Sequence, residues 1–134
     1  MKPGRIVMSN NSTRTQDRRR TARWQASYFF KSDKQYSRPY FDVIDVKNGE
    51  SIGHLVDLTF DGMKIESTTE IGRGRPFSLR IELPEEIEEC GEIHIAARSL
   101  WADRLEGQEK WYVGFEILSI APPYGDIVDA LIQQ

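Results

Sequence analysis

The stretch Asp57-Leu58-Thr59-Phe60-Asp61-Gly62 separates two segments that each alternate between apolar and polar side chains. Residues 52–56 (IGHLV) precede it and residues 63–67 (MKIES) follow it, and both have the period of two that is typical of half-buried β-strands. The hexapeptide is therefore predicted to be a strand-to-strand turn. Asp and Thr side chains can hydrogen-bond to their own backbone in such a turn, and Gly62 can adopt a positive φ there without steric cost.

The size and composition of the chain indicate one domain with tails. It has 134 residues, of which 29% are charged, and a formal net charge of -3. No apolar run approaches the ~18 residues of a transmembrane helix, and the N-terminus lacks the apolar stretch of a secretory signal peptide. The single cysteine, Cys90, cannot form an internal disulfide, so a reducing compartment is expected and the predicted location is the cytoplasm.

The charge is distributed unevenly along the chain. Residues 1–24 contain seven basic side chains and one acid, for a net charge of +6, which leaves -9 on the remaining 110 residues. A basic arm is thus attached to an acidic body. Because an acidic body repels a phosphate backbone, the distribution disfavours binding to a nucleic-acid polymer.

Outside the hexapeptide, the sequence predicts an all-β-dominated domain. Further alternating segments cover residues 41–44, 77–83, 93–101 and 110–118, and Asn48-Gly49 favours a type I′ hairpin turn. A helical stripe of apolar residues follows, so a C-terminal α-helix is predicted at about 124–133. The expected fold is a small antiparallel six-stranded β-barrel with this helix and a flexible basic N-terminal arm.

The predicted domain covers residues 17–134, and its arginine arm covers residues 17–23. Residues 1–16 are polar and aperiodic, so they are expected to be disordered. Residues 24–38 fit either a strand or a wrapping loop.

Nothing in the sequence indicates catalysis or a metal centre. His54, His94 and Cys90 lack a spacing typical of metal ligands. No nucleophile-and-base arrangement, phosphate-cradling glycine loop or His-Glu helix motif is present. The protein is therefore predicted not to be an enzyme and to hold no metal or cofactor.

Two motifs give the chain a resemblance to the PilZ domain family. Arg19 and Arg23 form the RxxxR pattern of the arm, and the Asp57–Gly62 hexapeptide resembles the family's (D/N)xSxxG turn. Residues 112–117 (YVGFEI) resemble the family's penultimate strand. Position 59 is Thr where the family usually has Ser, so the hydroxyl is retained with one additional methyl group.

The resemblance implies a receptor for cyclic di-GMP, a bacterial second messenger. Arginine forks match guanine edges and phosphates, so Arg19 and Arg23 are the predicted ligand contacts, with Arg18 and Arg20 assisting. This basic cluster is predicted to fold over the barrel when the ligand binds and to change a surface that an unidentified downstream protein recognises.

The turn is predicted to supply the other side of the site. Asp57 would accept from guanine N1–H and N2–H2, Thr59 would provide a hydroxyl, and Gly62 would allow close approach. Trp101 is a candidate to stack on a guanine base, although a half-buried barrel residue is the more common role for such a tryptophan.

Two alternatives remain open from the sequence. One is a PilZ-like protein–protein interaction module that does not bind cyclic di-GMP. The other is a nucleic-acid binder that uses the arginine arm, which would require a basic or aromatic face on the barrel. Steep loss of binding with salt would indicate the nucleic-acid binder, whereas a pocket that reads guanine would retain much of its affinity.

Overall fold

The computed structural model describes residues 23–31, 39–87, 91–122 and 124–133. Within these ranges the helices are α1 (Ala26–Phe29) and α2 (Tyr124–Ile132). The strands are β1 (Trp24–Gln25), β2 (Asp42–Asp45), β3 (Glu50–Leu58), β4 (Gly62–Ser67), β5 (Pro76–Glu82), β6 (Glu92–Arg104) and β7 (Trp111–Ile120).

Six of the strands form a closed antiparallel barrel. The hydrogen-bonded order runs β3-β2-β5-β6-β7-β4, and β4 pairs back onto β3 to complete the ring. β1 lies outside this ring and pairs with β3. The predicted six-stranded barrel with a C-terminal helix is confirmed. Of the predicted arm, residues 17–22 lie outside the described residues, as does the predicted tail at 1–16.

The barrel core consists of the inward-facing residues of each strand. Val43, Leu55, Ile65, Ile81 and Val113 are all 0% exposed and belong to five different strands. Helix α2 packs its own apolar stripe onto this core, and Val128, Leu131 and Ile132 are buried there. The apolar residues of the alternating segments thus face the barrel interior, and the polar residues between them face solvent.

The pairings of the described strands shift register at four points, and two of these bulges lie near residues 55–57 and 99–101. In β3 the register against β4 shifts between Leu55 and Asp57, so that Leu55 and Leu58 both point inward with two residues between them. In β6 the register against β7 shifts between Ser99 and Trp101. Each bulge adds one residue to its strand and redirects the side chains that follow it.

Residues 24–31 attach the start of the described chain to the barrel. Trp24 pairs with Leu58 and Gln25 pairs with Asp57, antiparallel to the end of β3. The Trp24 ring is 3% exposed and stacks on Phe41, with ring centroids 4.4 Å apart. The sequence left residues 24–38 undecided between a strand and a wrapping loop. The first two of them form strand β1, while residues 32–38 lie outside the described part of the chain.

The hairpin between β2 and β3 differs from the sequence prediction. Asp45 pairs with Glu50, so the loop contains four residues and not the two of a type I′ turn. The Asp45 carbonyl accepts the N–H of Gly49 at 2.8 Å, and its carboxylate accepts the N–H of Lys47 at 3.0 Å. These bonds satisfy the loop backbone and stabilise the longer connection. The predicted type I′ turn is therefore wrong, although Gly49 does adopt a positive φ of 74°.

Candidate functional site

A transverse row of residues crosses four neighbouring strands on the outer surface of the barrel. Asp57 of β3 pairs with Lys64 of β4, Lys64 pairs with Gly114 of β7, and Gly114 pairs with Trp101 of β6. Adjacent strands lie about 4.8 Å apart, so the row is about 14 Å long. The registers alone therefore place Asp57 and Trp101, which are distant in sequence, on one face at the two ends of the row.

A cavity of about 270 Å³ lies along this row. Five of the predicted site residues line it: Arg23, Asp57, Thr59, Gly62 and Trp101. Arg18, Arg19 and Arg20, the other predicted ligand contacts, lie outside the described residues. The structure thus brings the arginine arm's last member together with the turn and the predicted stacking residue.

Arg23 and Asp57 form an ion pair at the edge of the cavity. The Arg23 Nη1 donates to the Asp57 Oδ2 at 3.1 Å, and the two side chains are 52% and 14% exposed. The second carboxylate oxygen, Oδ1, is buried and has no hydrogen-bond partner among the described residues. Buried carboxylate oxygens normally accept a hydrogen bond, so this atom is an unused acceptor, and a donor in the cavity reaches it only if the surrounding side chains move.

Thr59 closes the turn with its own side chain. Its hydroxyl accepts the N–H of Asp61 at 3.2 Å and the N–H of Gly62 at 3.0 Å, and it lies 3.2 Å from the Gly62 carbonyl, to which it donates. One donor and two acceptor positions are the full capacity of a hydroxyl. In this conformation Thr59 shapes the turn and has no hydrogen-bonding capacity left for the predicted ligand contact.

Gly62 is required by the neighbouring strand. It is not among the glycines with positive φ, so the predicted left-handed conformation at this position is wrong. A Cβ at Gly62 would lie 3.0 Å from the carbonyl oxygen of Phe115 in β7. The observed close approach is made by protein backbone, and the predicted close approach to a ligand stays a prediction.

Trp101 and Gly114 form one wall of the cavity. Trp101 is 39% exposed, and a Cβ built on Gly114 would lie between 2.1 and 2.5 Å from three atoms of its indole ring. The ring therefore lies flat across the Gly114 backbone. The sequence analysis did not identify Gly114, although a glycine inside a strand is a known signal of a close approach.

Lys64 is the second cavity residue that sequence reasoning missed. It lies in β4 between Asp57 and Gly114 in the transverse row, and it lines the cavity. A lysine at an outward position of an alternating strand carries no signal in the sequence, because solvent-facing positions of any barrel are commonly charged.

Other features of the described residues bear on function only indirectly. None of their helices is long and apolar enough to span a bilayer. They contain no group of three or more His, Cys, Asp or Glu side chains that could hold a metal ion. Cys90 lies outside the described part of the chain.

Comparison with known proteins gives matches at the level of structure. No family model matches the sequence, and no curated protein matches it. The structure of the Bacillus subtilis inhibitor of motility, MotI/DgrA, matches 76% of the chain with a TM-score of 0.54 and 20% identity. The chain covers 48% of that protein, so it spans about half the length of MotI/DgrA.

A second match is the PilZ domain of YcgR from Escherichia coli, whose structure contains c-di-GMP. It covers 76% of this chain and 87% of that domain, with a TM-score of 0.48 and 16% identity. At 20% identity, the structural likeness to MotI/DgrA shows that the two proteins share a fold.

Proposed function

We propose that this chain, which has a PilZ-type fold, binds cyclic di-GMP in the cavity of the transverse row and acts as a receptor or adaptor without catalysis. The observation that carries the proposal is the convergence of Arg23, Asp57 and Trp101 on one cavity. These are the residue types that read a guanine edge, neutralise a phosphate and stack on a base.

The carboxylate supports guanine recognition. With Oδ2 of Asp57 held by Arg23, the buried Oδ1 is the oxygen that lacks a donor among the described residues. Guanine presents two adjacent donors, N1–H and N2–H2, whereas adenine presents no comparable pair on that edge. The two adjacent guanine donors can bridge both carboxylate oxygens, whereas adenine offers that edge only its single N6–H2 donor group, so guanine satisfies the Asp57 carboxylate more fully.

Arg23 supports phosphate or guanine contact from the same side. A guanidinium has five N–H donors, and the ion pair with Asp57 uses Nη1. The side chain is about half exposed, so its remaining donors face the cavity mouth and solvent. The ion pair with Asp57 thus holds the Arg23 guanidinium in place and leaves its other N–H groups able to donate to a ligand.

The pairing of β1 with β3 supports the proposed closing of the arm. Trp24 is buried directly after Arg23, so the point at which the arm joins the barrel is anchored next to Asp57. Ligand binding would then fold residues 17–22 over the cavity and create a changed surface for a downstream protein.

Calorimetric titration with cyclic di-GMP, and with cyclic di-AMP as the control ligand, tests the proposal. Wild-type protein is expected to bind the guanine ligand selectively, and Arg23→Ala and Arg19→Ala/Arg23→Ala are expected to lose that binding. Arg104→Ala is the matched control, because the Arg104 side chain is 60% exposed against 52% for Arg23 and pairs with Glu109 on the β6–β7 hairpin. Equal loss in Arg104→Ala would show a non-specific charge effect.

The alternative is an interaction module that does not bind the nucleotide. The ion pair between Arg23 and Asp57 favours it, because it forms within the protein and already satisfies one carboxylate oxygen. No heat with either ligand from well-folded protein would contradict the receptor proposal and leave this alternative.

A further inference from the structure

We infer that Lys64 is a further ligand-binding cation of this site, beside the predicted arginines, and contacts the phosphodiester ring of the cyclic dinucleotide. The inference rests on the proposed function and extends it to a residue outside both sequence motifs. Its basis is the position of the Lys64 ammonium group, the absence of a carboxylate partner for it in the described part of the chain, and the order of groups along the transverse row.

Lys64 occupies the middle of the cavity floor. It pairs with Asp57 on one side and with Gly114 on the other, and the Trp101 ring lies across Gly114. The row therefore runs from a carboxylate residue through a lysine to an indole residue. A cyclic dinucleotide has the same order when one base meets the carboxylate and the other stacks on the indole, because its phosphodiester ring lies between the bases.

The Lys64 ammonium forms no ion pair among the described residues. Asp57 is its direct cross-strand neighbour, but the Asp57 carboxylate is paired with Arg23. The ammonium instead lies 4.9 Å from the centroid of the Tyr112 ring. A cation on an aromatic face keeps its hydrogen-bond donors free, so Lys64 can donate to an anion without first breaking a salt bridge.

Lys110 provides the contrast on the same face of the barrel. Its ammonium lies 3.3 Å from the Glu66 carboxylate, and Lys110 does not line the cavity. The two lysines thus carry the same charge on the same face of the barrel. Lys110 pairs with a carboxylate and lies outside the cavity, whereas Lys64 lines the cavity and has no carboxylate partner among the described residues. Tyr112 does not line the cavity, so the Lys64 ammonium has to swing from that ring toward the row to reach a bound phosphate.

Titration of Lys64→Met, Lys64→Arg and Lys110→Met with cyclic di-GMP tests the inference. Loss of one charge-assisted contact from this half-buried side chain predicts about tenfold weaker binding for Lys64→Met. Lys64→Arg retains the positive charge and is expected to bind within about threefold of wild type, and Lys110→Met is expected to match wild type. The affinity of Lys64→Met is also expected to fall less steeply with salt than that of wild type.

The outcomes separate this inference from the proposed function. If wild type binds and Lys64→Met binds equally well, the inference is overturned while the receptor proposal stands. If Lys110→Met weakens binding as much as Lys64→Met, a general surface charge effect replaces the specific contact. If wild type does not bind, both proposals fall. Thermal unfolding of each variant verifies its fold, and Lys64→Gln replaces Lys64→Met if the latter does not fold.

Discussion

Single residues of this barrel owe their roles to what lies on the neighbouring strand. Gly114 has no side chain because the indole of Trp101 occupies that space, and Gly62 has none because the Phe115 carbonyl does. Thr59 uses its hydroxyl to close the turn that presents Asp57. The site is thus prepared by residues that do not themselves recognise a ligand.

Gly114→Ala is expected to displace the Trp101 ring, because the new Cβ would overlap three of its atoms. The expected cost is about 1–3 kcal/mol of unfolding free energy, together with a change in tryptophan fluorescence and weaker ligand binding. Chemical denaturation and fluorescence measure both effects. Gly125→Ala is the control, since a Cβ there meets nothing within 4 Å. An unchanged fluorescence spectrum in Gly114→Ala would contradict the stacked arrangement.

Thr59→Val is expected to lower the unfolding free energy by about 1–2 kcal/mol, because it leaves the N–H groups of the turn without their acceptor. Thr59→Ser keeps the hydroxyl and is expected to remain close to wild type. Urea unfolding of the two variants measures the difference. Equal stability of the valine and serine variants would show that the turn closes without the hydroxyl.

At the scale of elements, β1 is small but determines where the arm meets the cavity. Its two residues pair with Leu58 and Asp57, and its tryptophan packs against the aromatic ring of Phe41. The backbone pairing places Arg23 beside Asp57, and burial of Trp24 holds it there. Trp24 therefore anchors the arm, and the adjacent Arg23 is the proposed ligand contact.

Trp24→Ala is expected to cost about 3–5 kcal/mol, as for other large buried aromatic side chains, and to weaken cyclic di-GMP binding. Trp24→Phe keeps a ring and removes an indole N–H that has no partner among the described residues, so a smaller cost is expected. Thermal unfolding and titration measure the two effects. Full ligand affinity in a folded Trp24→Ala variant would contradict the anchoring role.

At the scale of the whole molecule, a chain with a +6 N-terminal segment and a -9 remainder concentrates its positive charge at one end. Closing such an arm onto an acidic body is favoured electrostatically and weakened by salt. A cyclic dinucleotide, with its two negative charges, would be attracted by the arm and repelled by the acidic body, so the arm has to supply the compensating charge.

Truncation separates the predicted tail from the predicted arm. Removal of residues 1–16 is expected to leave cyclic di-GMP affinity within about twofold, whereas removal of residues 1–22 is expected to weaken it by tenfold or more, through loss of three arginines. Both variants retain Trp24 and are expected to keep the melting temperature of the full chain. Equal affinity of the two truncations would place the ligand contacts on the barrel alone.

Much of the barrel could be predicted from the sequence, because the pattern that identifies each strand lies within the residues of that strand. Alternation of apolar and polar residues identified β3 and β4 on either side of Asp57–Gly62, and the apolar stripe near the C-terminus identified α2. Asp57 and Arg23 became candidate site residues through the two motifs that resemble the PilZ family, whereas the strands and the helix were predicted from local patterns. These features depend on each segment's own preference for an extended or helical backbone.

Only the tertiary structure decided which side chains share the cavity. Strict alternation from Ala97 would have placed Trp101 inside the barrel, and the bulge at Leu100 turns it outward instead. Lys64 joins the site through its register against Asp57 and Gly114, which no single strand encodes. Bulges and registers are properties of pairs of strands, so they are determined only when the barrel closes and each strand meets its neighbours.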